Sequence, residues 1–414
     1  MNEPSGNCGK CGVCLTVCPV FSVLKEEQVS PRAKMRLIKA LSGKELKPTP
    51  LLKELVDKCL MCGSCQAVCP SGVDLFSRYK ETRAQLGNEV GEPKEIRSLI
   101  FMLAHESKLG PLSGLARMGQ KVVPKSLQER VKVGDFSLSG FPPLNAKPLR
   151  SRLSETTPAQ GKELGTVLYF TGCATNYLFE DTGHATVKLL SALGYRVIIP
   201  KEQTCCGIPM VYHGAFDQAL TKVRSNIACL SGYEAAAIIV DCPTCKKGLQ
   251  NESLALIKHF QLDEQKAQEV ADKVMNLGNF LNRHLEELLN RILKQRKTAS
   301  QLPQAVTYHA PCHLRNFEAS TDKLLQALAP AIDYRPASDM DTCCGGGGTF
   351  FCQYPEIAGS LAREKFINAR NTGATILLTD CPVCRLQLGA HLKENDTLKL
   401  MHPVHYLLSL LSED

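Results

Sequence analysis

The chain has no tryptophan, and its aromatic share is only 6%. Its lysines and arginines do not gather into a basic cluster interleaved with aromatics, so nucleic acid is not the expected partner. No apolar run reaches the roughly eighteen residues that cross a bilayer, and no transmembrane segment is expected. Met1 to Asn7 is polar and runs straight into Cys8, which predicts no secretory signal peptide. A dinucleotide fingerprint is missing too. The four glycines Gly345 to Gly348 come nearest, but the G-x-G-x-x-G spacing fails at Phe350. Hydride removal from a substrate needs a flavin or nicotinamide, so this chain is not expected to oxidise a substrate alone.

What it does have is cysteine. There are 20 in 414 residues, against an ordinary background of 44% hydrophobic and 22% charged residues. The length allows two or three domains with proper cores. Without export, cysteines in this number read as metal ligands rather than disulfides. The formal charge of +8 counts each thiol as neutral. Ligating thiolates are anionic, so part of the basic surplus balances metal clusters.

Two runs near the N-terminus carry the clearest chemistry. They are Cys8-x-x-Cys11-x-x-Cys14-x-x-x-Cys18-Pro19 and Cys59-x-x-Cys62-x-x-Cys65-x-x-x-Cys69-Pro70. This is the spacing by which bacterial ferredoxins hold [4Fe–4S] clusters, with the fourth cysteine of each run crossing to the other cluster. The expected sets are Cys8, Cys11, Cys14 and Cys69 on one cubane, and Cys59, Cys62, Cys65 and Cys18 on the other. A structural zinc site is the weaker reading of the same spacing. Arg32, Lys34 and Arg36 follow the first run. A solvated helix face is the plain reading for them, and neutralisation of a nearby cluster the sharper one.

The spacing of apolar residues predicts helices over Pro31 to Leu41, Leu51 to Lys58, Tyr79 to Leu86 and Glu95 to Glu106. Residues 1–90 therefore read as an all-α ferredoxin module. Residues 91–164 read as a helical, then irregular linker, rich in Pro, Gly and Ser from about Gly110. From Gly165 strand and helix alternate, which implies a parallel sheet with crossover helices. Strands are expected at Thr166–Phe170, Arg196–Ile199, Ala236–Val240, Ala305–Tyr308 and Ala374–Leu378. Helices are expected at Asp181–Leu193, Gly214–Gly232, Thr321–Leu328 and Pro355–Arg370. Residues 251–304 read as a helical connection of one or two long helices between an α/β unit at 165–250 and another at 305–414. The tail Pro403–Leu411 reads as a short amphipathic helix, more suited to core packing than to a membrane surface.

The second α/β unit repeats the first. One copy holds Cys173, Cys205-Cys206-Gly207 and Cys242-Pro-Thr-Cys245. The other holds Cys312, Cys343-Cys344-Gly345 and Cys381-Pro-Val-Cys384. Matching cysteines lie 138 or 139 residues apart, and Asp241 and Asp380 precede the last pairs alike. Cysteines after parallel strands should converge on one crevice at the strands' carboxyl ends. Gly207 and Gly345 would let the backbone bend sharply there, and the glycine run permits very close backbone approach. An iron–sulfur cluster, zinc and a redox-active dithiol all suit five thiols per copy. Cys229 and Cys352 lack counterparts and read as unligated. His309 and His313 flank Cys312. They invite a ligand or proton-transfer role, but histidines near a strand end are more often ordinary hydrogen-bonding residues, and that is the reading preferred.

Two ferredoxin runs followed by two Cys-Cys-Gly repeats resemble the iron–sulfur subunit family of glycolate oxidase. The kinship extends to the iron–sulfur subunits of lactate and anaerobic glycerol-3-phosphate dehydrogenases. The repeats alone resemble the cysteine-rich component of heterodisulfide reductase. Pro31-Arg32 and Cys69-Pro70-Ser71-Gly72-Val73 match the glycolate oxidase type well. The resemblance implies an electron-transfer subunit of a flavin-dependent 2-hydroxyacid (glycolate or D-lactate) dehydrogenase. Electrons would pass from a partner FAD subunit toward quinone or another acceptor. The complex would be cytoplasmic, with peripheral association at the inner face of the cell membrane. It also implies that Cys173, Cys205, Cys206, Cys242 and Cys245, and Cys312, Cys343, Cys344, Cys381 and Cys384, hold one or two noncubane clusters. The alternative is a disulfide or quinone reductase with its own active site at the repeats.

Overall fold

The computed structural model describes residues 7–106, 117, 132–133, 136–137, 142–298, 304–314, 321–392 and 396–411. Most of the expected irregular linker between 107 and 141 lies outside them.

The N-terminal module is helical, as its spacing predicts. Helix Pro31–Ser42 starts on a proline, and the Ser30 hydroxyl caps it by accepting from the Ala33 amide at 3.1 Å. Proline suits that position because its missing N–H would be unpaired anyway. The helix buries Met35, Ile38 and Leu41, three residues apart, and Lys34 with them. Thr49 caps Pro50–Asp57 and Asp74 caps Leu75–Val90 in the same manner, each accepting an amide at 3.1 Å. Helix Lys94–Ala104 follows the module and packs Ile96 and Ile100 against Met210, Val211 and Val223 of the first repeat.

The rest is a duplicated α/β architecture. Strands β1 (Thr156–Thr157), β2 (Gly165–Phe170), β3 (Tyr195–Ile198), β4 (Ala237–Val240) and β5 (Val274–Asn276) form a sheet in the order β1-β3-β2-β4-β5. All pairs are parallel except β1 with β3. Strands β6 (Val306–Tyr308), β7 (Ile376–Leu378) and β8 (Lys399–Met401) form a second parallel sheet in the order β8-β7-β6. A parallel bridge from Val306 to Tyr334 occupies the place that β3 takes beside β2.

Alternation along the strands gives each sheet two different faces. Val167, Tyr169, Ala237 and Ile239 point into one core with Val306, Tyr308, Ile376 and Leu378 of the second sheet. Leu168, Phe170, Ile238 and Val240 point the other way, into a cluster that contains Cys206, Cys242 and Cys245. In the second sheet Leu377 does the same beside Cys344, Cys381 and Cys384. The two repeats thus share a core on one face and each packs its cysteines on the other. The tail helix Pro403–Leu411 buries Val404, Tyr406 and Leu407 in the shared core, as the core-packing reading expects.

Three strands, β5, β8 and β1, differ from expectation, the first two having three residues each. In place of one or two long helices, residues 251–298 form helices Ser253–His259, Gln265–Lys273, Leu277–Asn282 and Leu285–Thr298, with β5 between the second and third. Lys399–Met401 adds β8 at the matching edge. Three residues are too few to display a period of two, and sheet pairing rather than local propensity forms these strands. β1 likewise lies within what reads as irregular linker.

The helical module docks on both repeats. Arg83 donates to the carbonyls of Cys59 at 2.9 Å and of Tyr212 at 3.0 Å. Lys80 pairs with Glu252 at 2.6 Å, both largely buried. On the other side Gly347, at φ +51°, lies so close to Leu60 that a Cβ there would stand 2.6 Å from the leucine side chain. The close approach that the glycine run permits is therefore made to the second ferredoxin run.

Candidate metal centres

Every one of the twenty cysteines is a free thiol. Cys18, Cys59, Cys62 and Cys65 line one pocket, with Lys34, Leu60, Met61 and Tyr79. This is the second expected ferredoxin set, including the crossover cysteine. Burial pushes the Cys18 thiol up to about 11, with Cys59 and Cys62 adding charge repulsion. Burial raises Cys65 as well, followed by repulsion from Cys59, Cys62 and Cys18. Four mutually repelling thiols are costly to ionise unless a metal neutralises them.

The first set is more open. Cys11 is exposed, and Cys8 and Cys69 pack against the same Met35–Tyr79 cluster. Burial raises the Cys14 thiol; the Arg32 backbone opposes this, and Cys8 and Cys11 add repulsion. Cys8 and Cys11 thus lie near Cys14, and Cys8 shares its apolar support with Cys69.

Lys34 corrects the plain reading of the helix surface. Its ammonium is buried and donates to the Lys58 carbonyl. Desolvation lowers its pKa, while Cys59, Cys18 and Cys65 pull it back. Arg36 is exposed, as expected. Arg32 forms a two-point pair with Glu27 at 2.7 and 3.0 Å and feels the charge of Cys14 and Cys11.

Each repeat gathers its five cysteines into one chain of thiol contacts. In the first, Cys173 meets Cys205, Cys205 meets Cys206, Cys206 meets Cys245, and Cys245 meets Cys242. In the second, Cys312 meets Cys343, Cys343 meets Cys344, Cys344 meets Cys384, and Cys384 meets Cys381. The order is the same in both. Local geometry explains it. Gly207 and Gly345 take φ +87° and +88°, which turn the chain directly after each Cys-Cys pair. Pro243 and Pro382 start the helices Pro243–Lys247 and Pro382–Gly389, whose first turns carry the Cys-Pro-x-Cys pairs. Hydrogen bonds from Cys205 and Cys245 lower the Cys206 thiol to about 6. Bonds from Cys343 and Cys384 lower Cys344 likewise. Such a cluster of soft donors fits a thiophilic metal centre.

The repeats meet each other and the helical module. The Thr244 hydroxyl lies 4.0 Å from the Cys381 thiol. His313 bonds Thr244 at 2.9 Å and contacts the Tyr212 hydroxyl at 3.4 Å, which is the ordinary role expected of it. Cys62, of the second ferredoxin set, makes a thiol contact with Cys343. A crevice reaches Cys173, Cys312 and Cys343 past apolar residues such as Leu103, Leu144, Leu178 and Phe350.

Behind each thiol chain a tyrosine steadies the aspartate that precedes Cys-Pro. Tyr169 donates to Asp241 at 2.6 Å, and Thr175 donates to the same oxygen at 2.8 Å. Tyr308 donates to Asp380, joined by Thr321 at 2.8 Å. Burial pushes both carboxyls up to about 6. The tyrosines escape a reading based on cysteine alone, yet they keep the 139-residue register and were findable by it. Cys229 and Cys352 belong to neither thiol chain; burial pushes them up to about 11 and 12.

Comparison with known proteins agrees with this layout. The family model "4Fe-4S dicluster domain" matches residues 5–73, and "Cysteine-rich domain" matches residues 167–250 and 306–389. A probable glycolate oxidase iron-sulfur subunit of Bacillus subtilis is 27% identical over 98% of this chain and 93% of its own. The glycolate oxidase iron-sulfur subunit of Escherichia coli is 29% identical over 92% of this chain and 89% of its own. One component of a dihydromethanophenazine:CoB–CoM heterodisulfide reductase from Methanosarcina mazei is 24% identical over 98% of this chain and 93% of its own.

Proposed function

We propose that this chain, similar to glycolate oxidase iron–sulfur subunits and matching the dicluster and cysteine-rich domain models, is the electron-transfer subunit of a 2-hydroxyacid dehydrogenase complex. Glycolate is the first candidate substrate and D-lactate the second. The oxidising site would lie on a separate FAD subunit, with quinone as the terminal acceptor. Among the described residues no helix is long and apolar enough to cross a membrane. Our reading of location is the cytoplasmic face of the cell membrane, reached through the complex.

The observation that carries the reading is continuity. The Cys62–Cys343 contact links the second ferredoxin set to the second repeat, with Leu60, Phe350 and Phe351 packed around them. Iron–sulfur clusters, when bound, supply one-electron transfer, which suits a link between a two-electron flavin and an acceptor. In our assignment Cys8, Cys11, Cys14 and Cys69 hold one [4Fe–4S] cluster, and Cys18, Cys59, Cys62 and Cys65 hold the other. The two thiol chains hold one or two more. Lys34 sets a positive charge beside the second set, and Leu60 and Phe350 exclude water from the junction.

The apolar crevice favours a second reading, in which an acceptor is reduced at the repeats themselves. Assays of the purified chain with its iron intact separate these ideas. The proposal expects no oxidation of glycolate or lactate by the chain alone, and oxidation once a flavoprotein partner is added. Oxidation by the chain alone would overturn it. Reduction of a quinone analogue that is lost in Cys173→Ala and Cys312→Ala would favour the second reading for the acceptor end.

A further inference from the structure

The two repeats match in all ten cysteines but differ at one buried wall. His309 follows β6, and its backbone amide donates to the Leu378 carbonyl at 2.9 Å. The side chain is 1% exposed, and its ring meets the Cys344 thiol. The corresponding residue in the first repeat, 139 positions earlier, is Phe170, fully buried beside Cys206 and Cys245. One repeat therefore closes its thiol chain with a phenyl ring and the other with an imidazole.

An imidazole in a dry wall of thiols is costlier to bury than a phenyl ring unless those thiols serve as its partners. A phenylalanine would fill the place without that cost, as the first repeat demonstrates. The ring is aimed at thiols: a ring nitrogen of His309 and the sulfurs of Cys344 and Cys384 all lie within 4.8 Å of one another. Three donors at that spacing can share one ion, and imidazole with thiolate is a donor set for iron or zinc.

We propose that His309 is a metal ligand, which with Cys344 and Cys384 makes a nitrogen–sulfur site in the second repeat that the first repeat lacks. The cysteine-rich domains, alike in their thiols, would then hold chemically different centres. On an iron–sulfur centre, a neutral nitrogen that displaces one of the five thiolates would raise the potential. This inference rests on the reading that the repeats take up metal, but not on the identity of the flavoprotein partner.

The test uses the full chain purified with its metals. Metal content is measured by elemental analysis, and the ligands by pulsed electron paramagnetic resonance for iron or X-ray absorption for zinc. The wild type should show a directly bound nitrogen. His309→Phe, which copies the first repeat and should fold, should lose that nitrogen signature. Retention of an identical nitrogen signature in His309→Phe, or its absence from the wild type, overturns the proposal. Cys344→Ala distinguishes the two levels. If it lowers metal content while His309→Phe changes neither content nor spectrum, the ligand assignment alone falls. If Cys344→Ala also leaves the content unchanged, the metal reading of the repeat falls with it.

Discussion

The thiol of Cys62 meets that of Cys343. One belongs to the second ferredoxin run, and the other opens the Cys-Cys-Gly pair of the second repeat, 281 positions along the chain. No equivalent contact joins the first repeat's Cys205 to a ferredoxin thiol among the described residues; its amide instead bonds the buried Glu106 carboxylate at 2.5 Å. The duplicated domain is used asymmetrically.

That junction depends on Gly347. A side chain there would collide with Leu60 and also meet a left-handed backbone. Gly347→Val should cost about 2–4 kcal/mol, combining overpacking with backbone strain. Gly348→Ala, where nothing lies within 4 Å of a new Cβ, should cost only the backbone part, roughly 1–2 kcal/mol. Urea unfolding midpoints of the two variants would test the ranking. Equal costs would show that the approach of Leu60 is not tight.

Lys34 sits beneath Cys18, Cys59 and Cys65. A positive charge there stabilises the more negative, reduced form of a cluster. Lys34→Met, which keeps the buried stem but removes the charge, should lower the midpoint potential of one [4Fe–4S] centre and leave the other unchanged. A redox titration followed by electron paramagnetic resonance reads both. Two unchanged potentials would refute the placement of this charge.

His402 supplies a pH dependence. Its Nε2 bonds the Asp241 carbonyl at 3.0 Å and its Nδ1 accepts from the Val404 amide at 3.1 Å. The Nδ1 contact requires the neutral ring, and burial lowers its pKa from 6.5 to about 3, against the Asp241 carbonyl, which raises it. The unfolded chain takes up a proton below pH 6.5 and the folded chain does not, so stability falls as pH drops from 6.5 toward 3. At pH 5 this histidine should account for a loss of about 2 kcal/mol. His402→Gln should be less stable at pH 7 and flatten the stability profile between pH 7 and 5. An unflattened profile would remove His402 from the account.

The duplication makes a paired prediction. Tyr169→Phe and Tyr308→Phe each strip a buried hydrogen bond from Asp241 or Asp380. Each should cost about 1–3 kcal/mol. Thermal unfolding should place the two variants close together if the repeats use this pair alike.

The cysteines and the alternating elements carried most of the layout in the sequence. Both ferredoxin runs and both five-cysteine sets were legible because metal chemistry demands thiols at fixed spacing. The long strands were legible because β2 and β4 are continuous apolar runs. What escaped depended on partners distant in sequence. β5 and β8 exist only through pairing with β4 and β7. The plain reading of Lys34 fails for a related reason. Periodicity places a residue on a helix face or at a strand end, but it does not say what packs against it. Only the fold brings the Lys58 carbonyl over Lys34 and Cys384 over His309.

The central claim is that electrons enter this chain from a separate flavoprotein rather than from substrate. Anaerobic mixing with glycolate, followed by the visible absorbance of the clusters, tests it most directly. The account predicts no bleaching with the chain alone and rapid bleaching when the hydroxyacid-oxidising flavoprotein is present. Bleaching by glycolate without any flavoprotein would contradict it.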